Sequence, residues 1–261
     1  MITLKTPQET AKMHEAGRIV AEILAACRAA VRPGVTTGEL DRIAADILKR
    51  HGATSNFKGY GVPVLPPFTG VICTSVNEQI VHGIPGKRRL REGEILSIDA
   101  GAIVDGWHAD AAVTVPVGQV SAQAAQLISV TEEALRRAIG AAIVGKRLGD
   151  IGAAVQRFVE SQGFSVVRNY VGHGIGRAMH EEPQVPNYGA PERGLQIKEG
   201  LCIAIEPMVN VGRADTRTLP DQWTVVTADG SLSAHFEHTL ACTAAGPIVL
   251  TAPEGKAMAA A

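Results

Sequence analysis

Two stretches of the chain repeat one another, and that repeat constrains the fold more than anything else in the sequence. Gly34 to Gly52 (GVTTGELDRIAADILKRHG) lies over Gly145 to Gly163 (GKRLGDIGAAVQRFVESQG) at a common offset of 111, matching Gly38 with Gly149, Glu39 with Asp150, Leu40 with Ile151 and Ile47 with Phe158. Further on, GEILSID ending at Asp99 resembles GLCIAIE ending at Glu206, at a nearby offset of 107. Matches in the same order read as one unit used twice: two helices, then strands that end in a carboxylate. Two like halves closing on each other bring such carboxylates to a shared axis. The halves run from about 6 to 117 and from 121 to 243 within one catalytic domain of residues 1–251, followed by a flexible tail, 252–261.

Local signals agree with this frame. Thr6-Pro7-Gln8-Glu9 is a capping box with proline at the first helical position, and apolar residues from Met13 to Cys27 recur at helical spacing. A second helix starts at Thr36 with Glu39 three residues on and ends near Gly52. Gly59 to Gly70 is rich in proline and glycine and reads as a loop; strands follow from Ile72 to Val117. A long helix is predicted from Ser121 toward Gly145, and a shorter one from about Gly149 to Gly163.

Composition excludes several function classes. A formal net charge of −1 gives no electrostatic reason to expect nucleic acid or membrane as a partner, and 4% aromatics leaves few base-stacking platforms. No run of 18 apolar residues offers a membrane span, and the N-terminus is polar and carries acids, unlike a signal peptide. The four cysteines stand far apart with no CxxC pair, which points to a reducing cytoplasm rather than a disulfide framework or thiolate zinc site.

The chemistry starts at SIDAGAIVDGWHADAAV. Asp105-Gly106 is a strong hairpin turn signal, and the register it sets opposes Asp99 to Ala112 and Gly101 to Asp110. Asp99 and Asp110 are then diagonal neighbours on one face. For an arbitrary pair of acids a solvated outer face is the simpler expectation, but Ile95, Ile98, Ala100, Ala111 and Val113 around them are apolar, so both faces read as buried. Buried carboxylates that share a face repel and take up protons unless a cation sits between them. Glu206 ends an apolar strand, Glu237 lies in SAHFEHT, and His173 stands between glycines in GHGIG. Four negative charges match two divalent cations, and one neutral imidazole completes an oxygen-rich set suited to Mn, Fe(II), Co or Zn. Two such ions ~3.5–4 Å apart can hold a water as hydroxide near neutral pH.

The succession of VHGIP, SIDAGAIVDGWHAD, YVGHGIGRAMHEEPQVPN, IEPM and LPDQWTVVTADGSLSAHFEHT resembles the type I methionine aminopeptidases over about residues 3 to 250. The resemblance implies an α+β pita-bread (creatinase/aminopeptidase) fold, with two pseudo-symmetric halves and an inner antiparallel sheet covered by outer helices. It implies removal of the N-terminal initiator methionine from nascent polypeptides, with a small second residue preferred. It also implies metal ligation by Asp99, Asp110, His173, Glu206 and Glu237, with Asp110 and Glu237 bridging two ions. Glu206 would relay a proton, His180 would stabilise the oxyanion, and His82 would contact the scissile bond. Phe57, Tyr60, Cys73, Met179 and Trp223 would shape the methionine pocket, although core packing is an equally good account of soft apolar residues.

The chain departs from the family pattern in two places. The loop from Gly59 to Gly70 is longer and richer in proline, with Val62 or Pro63 where a second pocket tyrosine is usual, and Met179 stands where an aromatic is typical. His108, His235 and His238 flank ligands and are expected to alternate away from them. The basic run Lys87 to Glu92 reads as a solvated turn, or a contact with the ribosome where nascent chains emerge; nothing demands more than a monomer. Two rival readings are an Xaa-Pro-type aminopeptidase or dipeptidase of the same fold, and a binding protein that has lost its metals.

Overall fold

A computed structural model of the chain describes residues 2–61 and 63–253. The expected tail lies, from residue 254 on, outside the described residues, as does Val62. Four helices are found among the described residues: α1 (Pro7–Ala30), α2 (Thr37–Arg50), α3 (Ala122–Ala141) and α4 (Leu148–Ser161). The capping boxes form as the sequence predicts. Oε2 of Glu9 accepts from Thr6 N at 2.8 Å, and Oε2 of Glu39 accepts from Thr36 N at 2.7 Å. At the matching place in α4, Asp150 reaches back to Arg147 N at 2.8 Å. The third helix stops at Ala141, short of the predicted end near Gly145, where Gly145 N instead donates to Ile197 O.

The main sheet has nine strands, labelled here in chain order: β1 (Thr54–Ser55), β2 (Ile72–Val76), β3 (Ile95–Val104), β4 (Trp107–Pro116), β5 (Gly172–Gly174), β6 (Glu181–Val185), β7 (Cys202–Ile205), β8 (Glu237–Thr243) and β9 (Gly246–Val249). Their spatial order is β1-β3-β4-β8-β7-β5-β6, with β2 also paired to β3 and β9 to β8, all antiparallel. Asp105 and Gly106 take φ of 50° and 73°, a turn that only such residues adopt readily, and the β3–β4 register is the one read from it: Asp99 faces Ala112 and Gly101 faces Asp110.

Alternation along the strands then sorts side chains by face. Ile98, Ala100 and Ala102 of β3 and Ala109, Ala111 and Val115 of β4 pack against α1 and α2. Ile203 and Ile205 of β7 with Leu240 and Cys242 of β8 pack against α3 and α4. Both helical pairs therefore cover one face, and the intervening residues are left to the other. This is the α+β pita-bread arrangement that the resemblance implied. Two three-stranded sheets flank it. One joins 233–235, 208–210 and 165–166; the other joins 216–218, 225–227 and 79–81.

Candidate metal centre and its pocket

The sheet face opposite the helices carries the acids. Glu237 opposes Ala112, His173 opposes Ala204, and the register of β7 with β8 extends to bring Glu206 level with Glu237. Ligand atoms of Asp110, His173 and Glu237 lie within 4.8 Å of one another. Oε1 of Glu206 is 3.7 Å from Nε2 of His173. Asp99 and Asp110 line the same cavity, and each keeps a buried Oδ1 with no hydrogen-bond partner among the described residues. All five expected ligands thus converge.

Burial raises the pKa of Asp99, Asp110, Glu206 and Glu237, and mutual repulsion adds to it at Asp110 and the two glutamates. Left to themselves these acids hold protons; ionised together they need compensating positive charge. Among the described residues, no lysine or arginine lines the cavity around them. His173 is prepared as a neutral ligand. Its Nδ1–H donates to Gly174 O at 2.9 Å, so the lone pair of Nε2 faces the acids, and burial pulls its pKa down to about 4. The orphaned carboxylate oxygens, the charge count and the oriented imidazole all fit divalent cations.

Above the acids lies a cavity of about 110 Å³, large enough for a single side chain. Its lining contains every residue singled out from the sequence: Phe57, Tyr60, Cys73, His82, Met179, His180 and Trp223 above, and the five ligands below. Strand 79–81 pairs with 225–227, opposing Val81 to Val225, which brings His82 and Trp223 to a ring separation of 6.1 Å. His82 holds φ of 60°, a left-handed conformation costing ~1 kcal/mol in a non-glycine residue, and Gly83 N donates to Ser75 Oγ immediately afterwards. Burial pulls the His82 pKa down to about 4. His180 stacks edge-on to His173 with centroids 4.3 Å apart, and its pKa is lowered by burial and by nearby His108.

The structure adds to the sequence reading at one residue and corrects it at a second. The addition is Phe68, which was not singled out from the sequence. Phe68 lines the cavity and packs edge-on against Phe57 and Trp223 at 6.4 and 5.3 Å. The clue was available, since Phe68 is the last aromatic before β2. The second concerns His235, which does not turn away: it shares Glu237's parity, and its Nε2 stands 3.9 Å from Glu206 Oε2 and 4.0 Å from Glu237 Oε2. Neither of its ring nitrogens has a hydrogen-bond partner among the described residues, and burial pulls its pKa down to about 3. His238 does turn away, its Nδ1 paired with Thr251 Oγ1 at 2.8 Å.

The description "Metallopeptidase family M24" matches residues 11–244. The "Methionine aminopeptidase 1" of Bacillus subtilis (strain 168) is 51% identical over 251 residues, covering 96% of this chain and 99% of that protein. The crystal structure of a methionine aminopeptidase from Thermotoga maritima superposes with a TM-score of 0.93 at 44% identity, covering 96% of this chain and 99% of that one. A prolidase from Pyrococcus furiosus shares the fold, with a TM-score of 0.75 at 22% identity and coverage of 96% and 66%.

Proposed function

The chain belongs to metallopeptidase family M24, and from that membership and the site it builds we propose that it is a methionine aminopeptidase, releasing the initiator methionine of nascent polypeptides. One observation carries the reading: a buried acidic cluster forms the floor of an apolar cavity sized for a single side chain. A peptide N-terminus placed there presents its first carbonyl to the acids while its first side chain leaves water.

In this reading Asp99, Asp110, His173, Glu206 and Glu237 hold two divalent cations, with Co, Mn, Fe(II) and Zn all compatible with the donor set. When bound, the cations polarise the scissile carbonyl and lower the pKa of water in the site. The protein's own groups do the rest. Glu206, a buried carboxyl whose pKa is raised, takes a proton from the attacking water and returns it to the leaving amine. His180, held by Tyr60, donates toward the oxygen on which charge develops. His82, fixed by its backbone kink, orients the peptide against Trp223. Phe57, Tyr60, Phe68, Cys73, Met179 and Trp223 receive the methionine side chain; five of the six form one apolar cluster beside the acids. The preference for a small second residue rests on the family resemblance alone.

We read residues 1–251 as one catalytic domain built from halves 6–117 and 121–243. Gly38 and Gly149, partners in the repeat, support this: each accepts a close carbonyl, with N–H donating to Gly86 O at 2.8 Å and to Arg193 O at 2.9 Å. The reading also puts the enzyme in the cytoplasm as a monomer, acting where chains leave the ribosome. In keeping with this, the four cysteines are free and no described helix is long and apolar enough to cross a membrane.

A peptide panel after chelation and re-addition of single metals tests the function. Met-Ala-Ser should be cut, Met-Lys-Ser slowly and Ala-Pro-Ala not at all. Cleavage of Ala-Pro-Ala alone would move the chain to the Xaa-Pro enzymes. Failure to cut any peptide with any metal would leave a binding protein.

A further inference from the structure

The lengthened loop between Gly59 and Gly70 is extruded at the cavity mouth rather than threaded through it. Gly59 N donates to Phe68 O at 2.8 Å and Phe68 N donates to Tyr60 O at 3.0 Å, so Tyr60 and Phe68 close a neck. Gly61 and residues 63–67 lie in an excursion beyond that neck, with Leu65 N bonded back to Gly61 O at 2.7 Å. The base of the excursion is anchored to the pocket wall. Trp223 Nε1–H donates to Pro66 O at 2.9 Å, Leu65 packs against the pocket cluster, and Gly61 lies so close to the Trp223 ring that a Cβ there would come within 2.6 Å of it. Three prolines, at 63, 66 and 67, reduce the freedom lost in holding this shape.

The tip is different. Val64 is 87% exposed and Tyr60, at the neck, is 42% exposed, while no residue from 59 to 70 carries a charge. A rigid base presenting an uncharged apolar tip is a poor arrangement for solubility and a good one for contact. What passes this mouth is the substrate. A seven-residue excursion folded back on itself rises at most about 12 Å, and the third to fifth residues of an extended peptide lie roughly 7–14 Å beyond the first.

We propose that the described residues 63–67 form a substrate-binding arm that contacts the polypeptide beyond its second residue and favours apolar side chains at the third to fifth positions. The proposal rests on the aminopeptidase reading and extends it to sequence preference outside the pocket. Because the arm has no charge, the preference is carried by apolar contact and is insensitive to salt.

The test compares kcat/KM on Met-Ala-Ser-Leu-Leu, Met-Ala-Ser-Asp-Asp and Met-Ala-Ser for the metal-loaded enzyme, the Val64→Ser variant and the Val64→Leu variant. Half-burial of one valine corresponds to about a five-fold preference for the Leu-Leu peptide over the Asp-Asp peptide in the native enzyme, unchanged by 0.5 M salt. Val64→Ser, which removes the apolar contact without adding charge, should bring that ratio close to one, and Val64→Leu should keep it. At 87% exposure neither change removes native packing, and equal thermal midpoints check this. If Met-Ala-Ser is cut but the three enzymes show the same ratio, the arm is overturned and the aminopeptidase reading stands. If no peptide starting with methionine is cut, the failure belongs to that reading.

Discussion

Tyr60 Oη stands 2.6 Å from Nδ1 of His180. Burial raises the Tyr60 pKa, so the phenol stays protonated and donates, which leaves the proton of the imidazole on Nε2. A loop residue at the neck of the proposed arm therefore sets the tautomer of the histidine proposed to face the substrate carbonyl. Tyr60→Phe should lower kcat on Met-Ala-Ser by about 3- to 10-fold, the worth of one hydrogen bond, with little change in inhibition by free methionine. An unaltered kcat would show that His180 needs no such partner.

Asp110 offers a test with two readouts of opposite sign. Asp110→Asn removes one of four negative charges, so metal content after dialysis should fall and kcat should drop by two to three orders of magnitude. In chelated protein the same change relieves the repulsion that Asp99 and Glu206 exert on Asp110, and the thermal midpoint should rise by about 2–4 °C. Wild-type activity in the variant would remove Asp110 from the metal centre.

Gly17, inside α1, meets the backbone of Leu250 and Thr251. A Cβ built there would stand 2.1 Å from the backbone oxygen of Leu250. Helix propensity favours alanine over glycine by ~1 kcal/mol, but overpacking against a fixed carbonyl costs more, so Gly17→Ala should destabilise by about 1–3 kcal/mol net in urea unfolding. A gain in stability would mean the 250 segment moves freely.

His238 lies behind the sheet, away from the acids, and burial pulls its pKa down to about 4 from an ordinary 6.5. In that window the unfolded chain binds the proton and the folded one does not, so stability is full above pH 6.5 and is lost as pH falls toward 4. The loss is on the order of 3 kcal/mol for this group. His238→Gln, which can keep the hydrogen bond to Thr251, should flatten the pH dependence of unfolding by about one proton in that window. An identical slope in the variant would assign the acid sensitivity to other histidines.

Much of the site was legible along the chain because its parts are set locally. The Asp105-Gly106 turn fixes a register, and the register alone puts Asp99 and Asp110 on one face. Glu237 and Glu206 were readable as acids at apolar strand ends, where a charge needs a partner. Phe68 was not singled out, and His235 was expected to face away from the ligands. Phe68's place depends on where a seven-residue excursion closes, through bonds between Gly59, Tyr60 and Phe68 that no periodicity announces. His235 stands two residues before Glu237, so the two share a parity and alternation already pointed it toward the ligands, although residues 233–235 form a short strand separate from β8.

The sequence by itself determined the elements and the chemistry: helix starts from capping boxes, strand faces from alternation, and a ligand set from residue type. Those follow from interactions spanning at most about a dozen residues. Tertiary structure alone decided that β5, β7 and β8 would bring His173, Glu206 and Glu237 to the hairpin of Asp99 and Asp110, and that Trp223 would anchor the arm through Pro66. Such contacts join residues up to 157 positions apart, and their geometry is set by how the sheet curls under its two helical pairs, a property of the packed whole.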